Sequence, residues 1–131
     1  SIEDVQGRTL RVYFFVAGLV LLAAGLSPAA ELVLASVPGW ALYWVNLLSA
    51  VVDNATLAAA EISPRMSADK IRFLLMGLLV AGGMLIPGNV PNIISASKLG
   101  IRSREWAAFA VPLGLALMVL YFAALLALAA P

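Results

Sequence analysis

Residues 40–61 read WALYWVNLLSAVVDNATLAAAE. Trp40, Tyr43 and Trp44 crowd the start of this stretch, and Trp and Tyr collect at the headgroup level of a bilayer. The 13 residues from Trp40 to Val52 cover about 20 Å at the helical rise. A hydrocarbon core is ~30 Å thick, so in a membrane Asp53 and Asn54 would stand part-way across. Only the short apolar run 55–60 follows before Glu61, Ser63-Pro64 and Arg65. These half-lengths predict a helical hairpin over 40–61 that enters and leaves on one face, with Asp53-Asn54 at its tip. A single continuous span of about 21 residues is the alternative reading.

The surrounding composition supports a lipid solvent. The chain has 131 residues, 63% hydrophobic and only 11% charged, with a mean hydropathy of +1.03. Soluble domains carry about 25% charged residues, and one of this size has too much surface for its volume to hide so many apolar side chains. The expectation is an all-α membrane protein, because a helix satisfies its own backbone hydrogen bonds in lipid. A multi-pass location in the inner (cell) membrane follows. The net charge of +1 suggests no nucleic-acid partner. With no Cys and no His, thiol chemistry, disulfides and the usual zinc sites are excluded. No nucleophile–base pair is legible, so no enzyme is expected. Residues 1–9 carry Glu3, Asp4 and Arg8 ahead of the apolar run and do not read as a signal peptide. A start without Met fits a processed terminus or a piece of a longer protein.

Outward from the hairpin, residues 10–26 predict a first membrane helix, marked by Arg8 and Arg11 and ended at Ser27-Pro28. Residues 29–37, with Glu31, read as a connection or an interfacial helix. Glu61 to Arg72 is the wet loop, and Glu31 and Glu61 read as solvated interface charges. Residues 71–99 form a second apolar element whose Gly77, Gly82 and Gly83 permit close helix contact. It is broken by Pro87-Gly88-Asn89-Val90-Pro91-Asn92, since each Pro removes a donor and clashes with the preceding turn. The half-helix after the break ends at Lys98 and Gly100. Residues 105–130 are the last helix, anchored by Arg102, Arg104 and Trp106. The prediction is one unit over 1–131: three membrane-crossing elements, one unwound at 87–92, plus the re-entrant hairpin. Lys and Arg divide five to three between the two sides under either reading of 40–61, which favours an N-in chain only weakly.

Two constellations carry chemistry. Asp53-Asn54-Ala55-Thr56 offers a carboxylate, an amide and a hydroxyl near one tip, and hard cations such as Na⁺ take several oxygen ligands. Asp is also a favoured helix N-cap, so capping alone is the competing reading. An acid at that depth is a functional-site hypothesis in its own right. At the second break, Gly88 lets the chain turn, while Asn89 and Asn92 bring amides beside freed carbonyls. Broken helices of this kind hold substrates and ions in secondary transporters. A kinked helix whose Asn side chains satisfy broken hydrogen bonds is the alternative.

The run Val52-Asp53-Asn54-Ala55-Thr56, followed by a Gly-Gly helix and Ile86-Pro87-Gly88-Asn89-Val90-Pro91-Asn92, resembles the ion transporter superfamily. That group holds arsenite-efflux permeases, NhaD-type sodium/proton antiporters and divalent-anion/sodium symporters. The resemblance is strongest to an archaeal and bacterial family of predicted cation transporters of unknown function, over Asn46–Tyr121. It implies two inverted repeats, each with a re-entrant hairpin and an unwound helix whose tips meet at the site. This chain is similar to one repeat, the C-terminal one. The resemblance assigns Asp53, Asn54 and Thr56 to the tip and Asn89 and Asn92 to the unwound helix. The symporters carry a Ser-Asn-Thr type tip where Asp53-Asn54-Ala55-Thr56 stands, so their dicarboxylate chemistry does not transfer.

The expected function is thus half of a secondary active transporter, a Na⁺/H⁺ antiporter first. Asp53 is the Na⁺- and proton-binding group, with Asn54, Thr56, Gly88, Asn89 and Asn92 completing the site. An oxyanion or organic-anion carrier of the same architecture and a non-transporting structural membrane subunit are the alternatives. No cofactor is expected beyond bound Na⁺ or H⁺. The expected partners are the lipid bilayer and a second repeat or second copy of the chain.

Overall fold

A computed structural model describes residues 2–129, and among them every regular element is helical. Six α-helices follow in order: α1 Ile2–Leu34, α2 Gly39–Val45, α3 Asn54–Glu61, α4 Ala68–Ala81, α5 Val90–Leu99 and α6 Ser103–Ala129. Two short 3-10 turns, Asn46–Ala50 and Ile86–Gly88, sit within the irregular stretches. The expected end of the last helix at Ala130 lies outside the described residues.

Two helices are long and apolar enough to cross a membrane, over Val5–Leu34 and Ser103–Ala129. Their apolar side chains face outward: Phe14, Leu21, Leu32, Phe109 and Leu128 are all exposed. A core helix of a soluble protein would hide such residues. By contrast, α4 has 14 residues, about 21 Å at the helical rise.

The first helix departs from the expected boundaries. It continues through Pro28 to Leu34 instead of stopping at Ser27-Pro28, and so absorbs most of the predicted connection. Proline is tolerated within long apolar helices where neighbours compensate the freed backbone groups. Here the extra turns gain packing, because Ala30 and Leu34 lie on the cluster formed with Leu42, Leu74 and Leu78. The last carbonyls of α1 also find a donor: the Lys70 ammonium donates to Leu34 O at 2.6 Å and to Ala35 O at 3.3 Å. A helix C-terminus leaves such carbonyls without partners of its own, and a cation there suits the helix dipole.

Helix α4 is the axis on which the remaining elements assemble. Gly39 at the start of α2 lies beside Lys70 and Phe73 at the start of α4. One turn on, a β-carbon at Gly77 would sit 2.5 Å from Tyr43 O, so only glycine lets the two backbones approach this closely. Asn46 then donates to Leu74 O at 3.3 Å and Ser49 to Leu78 O at 3.1 Å. At the far end, Asn54 reaches Gly82. The chain then reverses, and Leu57, Ala58, Ile62 and Met66 return along the Leu34–Leu42–Leu74–Leu78 cluster. Segment 39–61 therefore runs out along α4 and back.

Helix α6 covers the other flank of α4. Tyr43 and Phe73 form a buried cluster with Met84 and Met118, against which Trp44 and Phe122 pack. The Tyr43 hydroxyl donates to Met118 O at 2.7 Å. At its start, Trp106 Nε1 donates to Gly83 O at 3.1 Å, which pins α6 to the end of α4. Glu105 accepts from the Arg102 backbone N–H at 3.0 Å, the return half of a capping box.

Candidate functional site

The tip is built by local capping chemistry. Asp53, in an extended conformation, is the N-cap of α3. Its Oδ2 accepts from Thr56 N at 3.0 Å and from the Thr56 hydroxyl at 3.2 Å. Thr56 is buried, whereas Asp53 and Asn54 are half-buried. Among the described residues no donor reaches Asp53 Oδ1. The capping reading is therefore realised, and it leaves one carboxylate oxygen unengaged at the edge of the tip.

The second break begins earlier than its prolines. Helix α4 ends at Ala81, and residues 82–89 are turns and the 3-10 segment Ile86–Gly88. Sequence reading located the break at 87–92, because Pro dominates local expectation. The structure begins it at Gly82, where the tip intrudes: a β-carbon there would lie 3.0 Å from Asn54 Nδ2. Pro91 instead falls in the first turn of α5, where a missing N–H costs nothing. Helix α5 ends at Gly100, whose φ of 66° is left-handed, the usual glycine stop.

Asn92 and Asn89 differ in use. The Asn92 amide donates to Gly82 O at 2.9 Å and to Leu85 O at 3.2 Å. Gly82 O lies just past the end of α4 and has no helical donor, whereas Leu85 O also accepts from the Gly88 N–H at 3.3 Å; Asn92 thus repairs the break, as in the kinked-helix alternative. Asn89 precedes α5 but makes no side-chain cap; its carbonyl accepts from the Asn92 and Ile93 N–H groups. Its side chain is half-buried and remains available.

Gly88 joins the two breaks. It is buried, and a β-carbon on it would lie 2.5 Å from Ser49 O, 2.6 Å from Gly82 O and 2.9 Å from Ala50 O. Carbonyls from the outgoing arm of 39–61 and from the end of α4 thus converge on one small residue. The structure brings Asn54, Gly82, Gly88 and Asn92 into one continuous set of contacts. Asp53 and Thr56 are tied to each other, and Asn89 lies next to Gly88 in the chain.

Several residues of this assembly were not singled out from sequence. Asn46 and Ser49 are fully buried and bond α4 carbonyls 28 and 29 residues away; polar residues in an otherwise apolar half-helix were the available signal. Glu61 is the larger departure. It reads as a solvated charge, yet the residue is half-buried and among the described residues its Oε2 is shielded with no hydrogen-bond partner, since both α1 and α4 contact α3. No group of three or more acidic side chains able to hold a metal occurs among the described residues.

An all-helical chain with two outward-facing apolar helices, and a polar knot where a reversed segment meets a broken helix, is of membrane-protein type. It belongs to the DUF1646 family, whose profile matches residues 1–128 and is described as a protein of unknown function. No curated protein and no solved structure matches the chain.

Proposed function

We propose that this chain is one half of a secondary active transporter in the cell membrane, and that it exchanges a monovalent cation, Na⁺, for H⁺. In this reading 40–61 is a re-entrant hairpin, 71–99 is a crossing element unwound in its middle, and α1 and α6 are the lipid-facing spans. The ion sits between tip and break. Asp53 Oδ1 is its anionic ligand, and Asn54, Thr56, Asn89 and Asn92 supply or orient neutral oxygens around the glycine corner at Gly88.

One observation carries the reading: the two polar interruptions meet. Asn54 packs on Gly82, and three carbonyls from both interruptions surround Gly88. Backbone oxygens at a break in hydrocarbon are costly unless covered; Gly82 O is shared with the Asn92 amide, and in this reading the carbonyls at the break join the Asp53 carboxylate of the tip in offering the oxygen ligands that a hard cation takes. Rocking of this unit against a second repeat or a second copy would alternate access. The chain alone supplies half of the site.

The anion-carrier alternative loses ground on the same geometry. An anion would use the free N–H groups at the start of α3, but the Asp53 carboxylate already occupies that end and would repel it. The reading is tested by calorimetric titration of the purified protein with Na⁺ at constant ionic strength. Wild type should release binding heat that Asp53→Asn abolishes while helicity is retained. Equal heats from the two proteins would refute it.

A further inference from the structure

Below the tip, on the returning arm of the hairpin, a second carboxyl is sequestered. Glu61 closes α3, and its Oε2 is shielded from solvent with no donor within reach. Asn46, fully buried in the opposite arm, lies against the same carboxyl. The Asn46 amide gives one of its two N–H groups to Leu74 O at 3.3 Å, and no hydrogen bond from it reaches Glu61 Oε2. A bare anionic oxygen in such a setting has lost water without gaining a donor or a cation, one of the costliest arrangements in a protein interior. The neutral acid form removes that cost.

The charged groups at this end do not neutralise it. Lys70 on α4 is turned to the carbonyls of Leu34 and Ala35. Asp69 and Arg72 pair with each other on the exposed side of α4. The Asn46–Ala50 turn brings only neutral groups. Glu31 on α1 and Arg65 line a cleft of about 320 Å³ together with Ser63 and Lys70. Ser63 is itself buried, two residues beyond Glu61 in the chain, and links the cleft, which Glu61 does not itself line, to the end of α3.

We infer that Glu61 is a proton-binding carboxyl held between the arms of segment 39–61, exchanging its proton through the Glu31–Ser63–Lys70 cleft. The site is separate from Asp53, which lies at the other end of α3, and it stands whether or not the chain carries ions.

Infrared spectroscopy of the full chain in lipid vesicles at neutral pH tests this without any flux measurement. The expected spectrum contains the C=O stretch of a protonated carboxyl. It should shift when glutamate carboxyls carry an isotope label, persist in Asp53→Asn and vanish in Glu61→Gln. Should Glu61→Gln not fold, a chain with Glu3→Gln, Glu31→Gln and Glu105→Gln together should keep the labelled band, which then belongs to Glu61. Absence of the band in wild type, insensitivity to the label, survival in Glu61→Gln or loss in the triple variant would each overturn the assignment.

Discussion

The Asn54 side chain rests on the backbone of Gly82: a β-carbon at Gly82 would stand 3.0 Å from Asn54 Nδ2 and 3.2 Å from Asn54 Cβ. This contact joins the turning point of 39–61 to the place where α4 stops. Just past the end of α4 the carbonyls turn to tertiary partners, Gly82 O to the Asn92 amide and Gly83 O to Trp106.

Gly88 has no room for a side chain. Gly88→Ala drives a methyl group into three backbone carbonyls, which cannot rotate away as a side chain could. Overpacking of this sort costs about 1–3 kcal/mol and occasionally more. Gly83→Ala is the matched control, since its nearest neighbour would be Val80 O at 3.5 Å, an ordinary contact. Thermal unfolding in detergent should show a clear loss for Gly88→Ala and little change for Gly83→Ala.

Asn92→Leu removes the donor shared by Gly82 O and Leu85 O. Leu85 O keeps the Gly88 N–H, but Gly82 O is left unpaired, which costs about 1–3 kcal/mol, so denaturant unfolding should detect a loss of that order. A variant as stable as wild type would show that the break repairs itself by another route.

Tyr43→Phe keeps the ring in its edge-on contacts with Trp44 and Phe73 and deletes only the bond to Met118 O. Met118 O keeps its partner within α6, so only the net worth of one hydrogen bond is lost, about 0.5–1.5 kcal/mol. Tyr43→Ala should cost more, about 3–5 kcal/mol, because the ring's volume is also lost.

Lys70→Met removes the donor at the end of α1 but keeps the aliphatic stem. Hydrogen exchange should quicken in the last turn of α1, whose Ala35 N–H donates to Glu31 O at 3.0 Å. The middle of α1 should exchange as before, since the effect of a terminal charge fades within one turn.

Much of this was legible locally. The arm length from Trp40, the Asp53 cap and the Pro–Gly punctuation near residue 88 are local signals of a reversal and a broken helix. Gly77, Gly82 and Gly83 were expected to allow close contacts; Gly77 and Gly82 do, whereas Gly83 is exposed and has only Val80 O at 3.5 Å. What stayed hidden depends on partners distant in the chain. Pro28 reads as a stop, but Ala30 and Leu34 have a surface to pack on and the helix persists. Glu61 reads as a wet charge, because nothing in residues 55–67 reveals the two helices that enclose it. Asn46 and Ser49 read as apolar-segment residues until α4 supplies their acceptors.

The most direct test of the ion-site reading is Na⁺ flux in proteoliposomes holding the full chain and an outward pH gradient. Wild type should exchange Na⁺ for protons at a rate that Asp53→Asn reduces at least tenfold, a loss of about 1.4 kcal/mol or more in transition-state stabilisation, with reconstitution unchanged. Equal, gradient-driven Na⁺ flux from wild type and Asp53→Asn would contradict it.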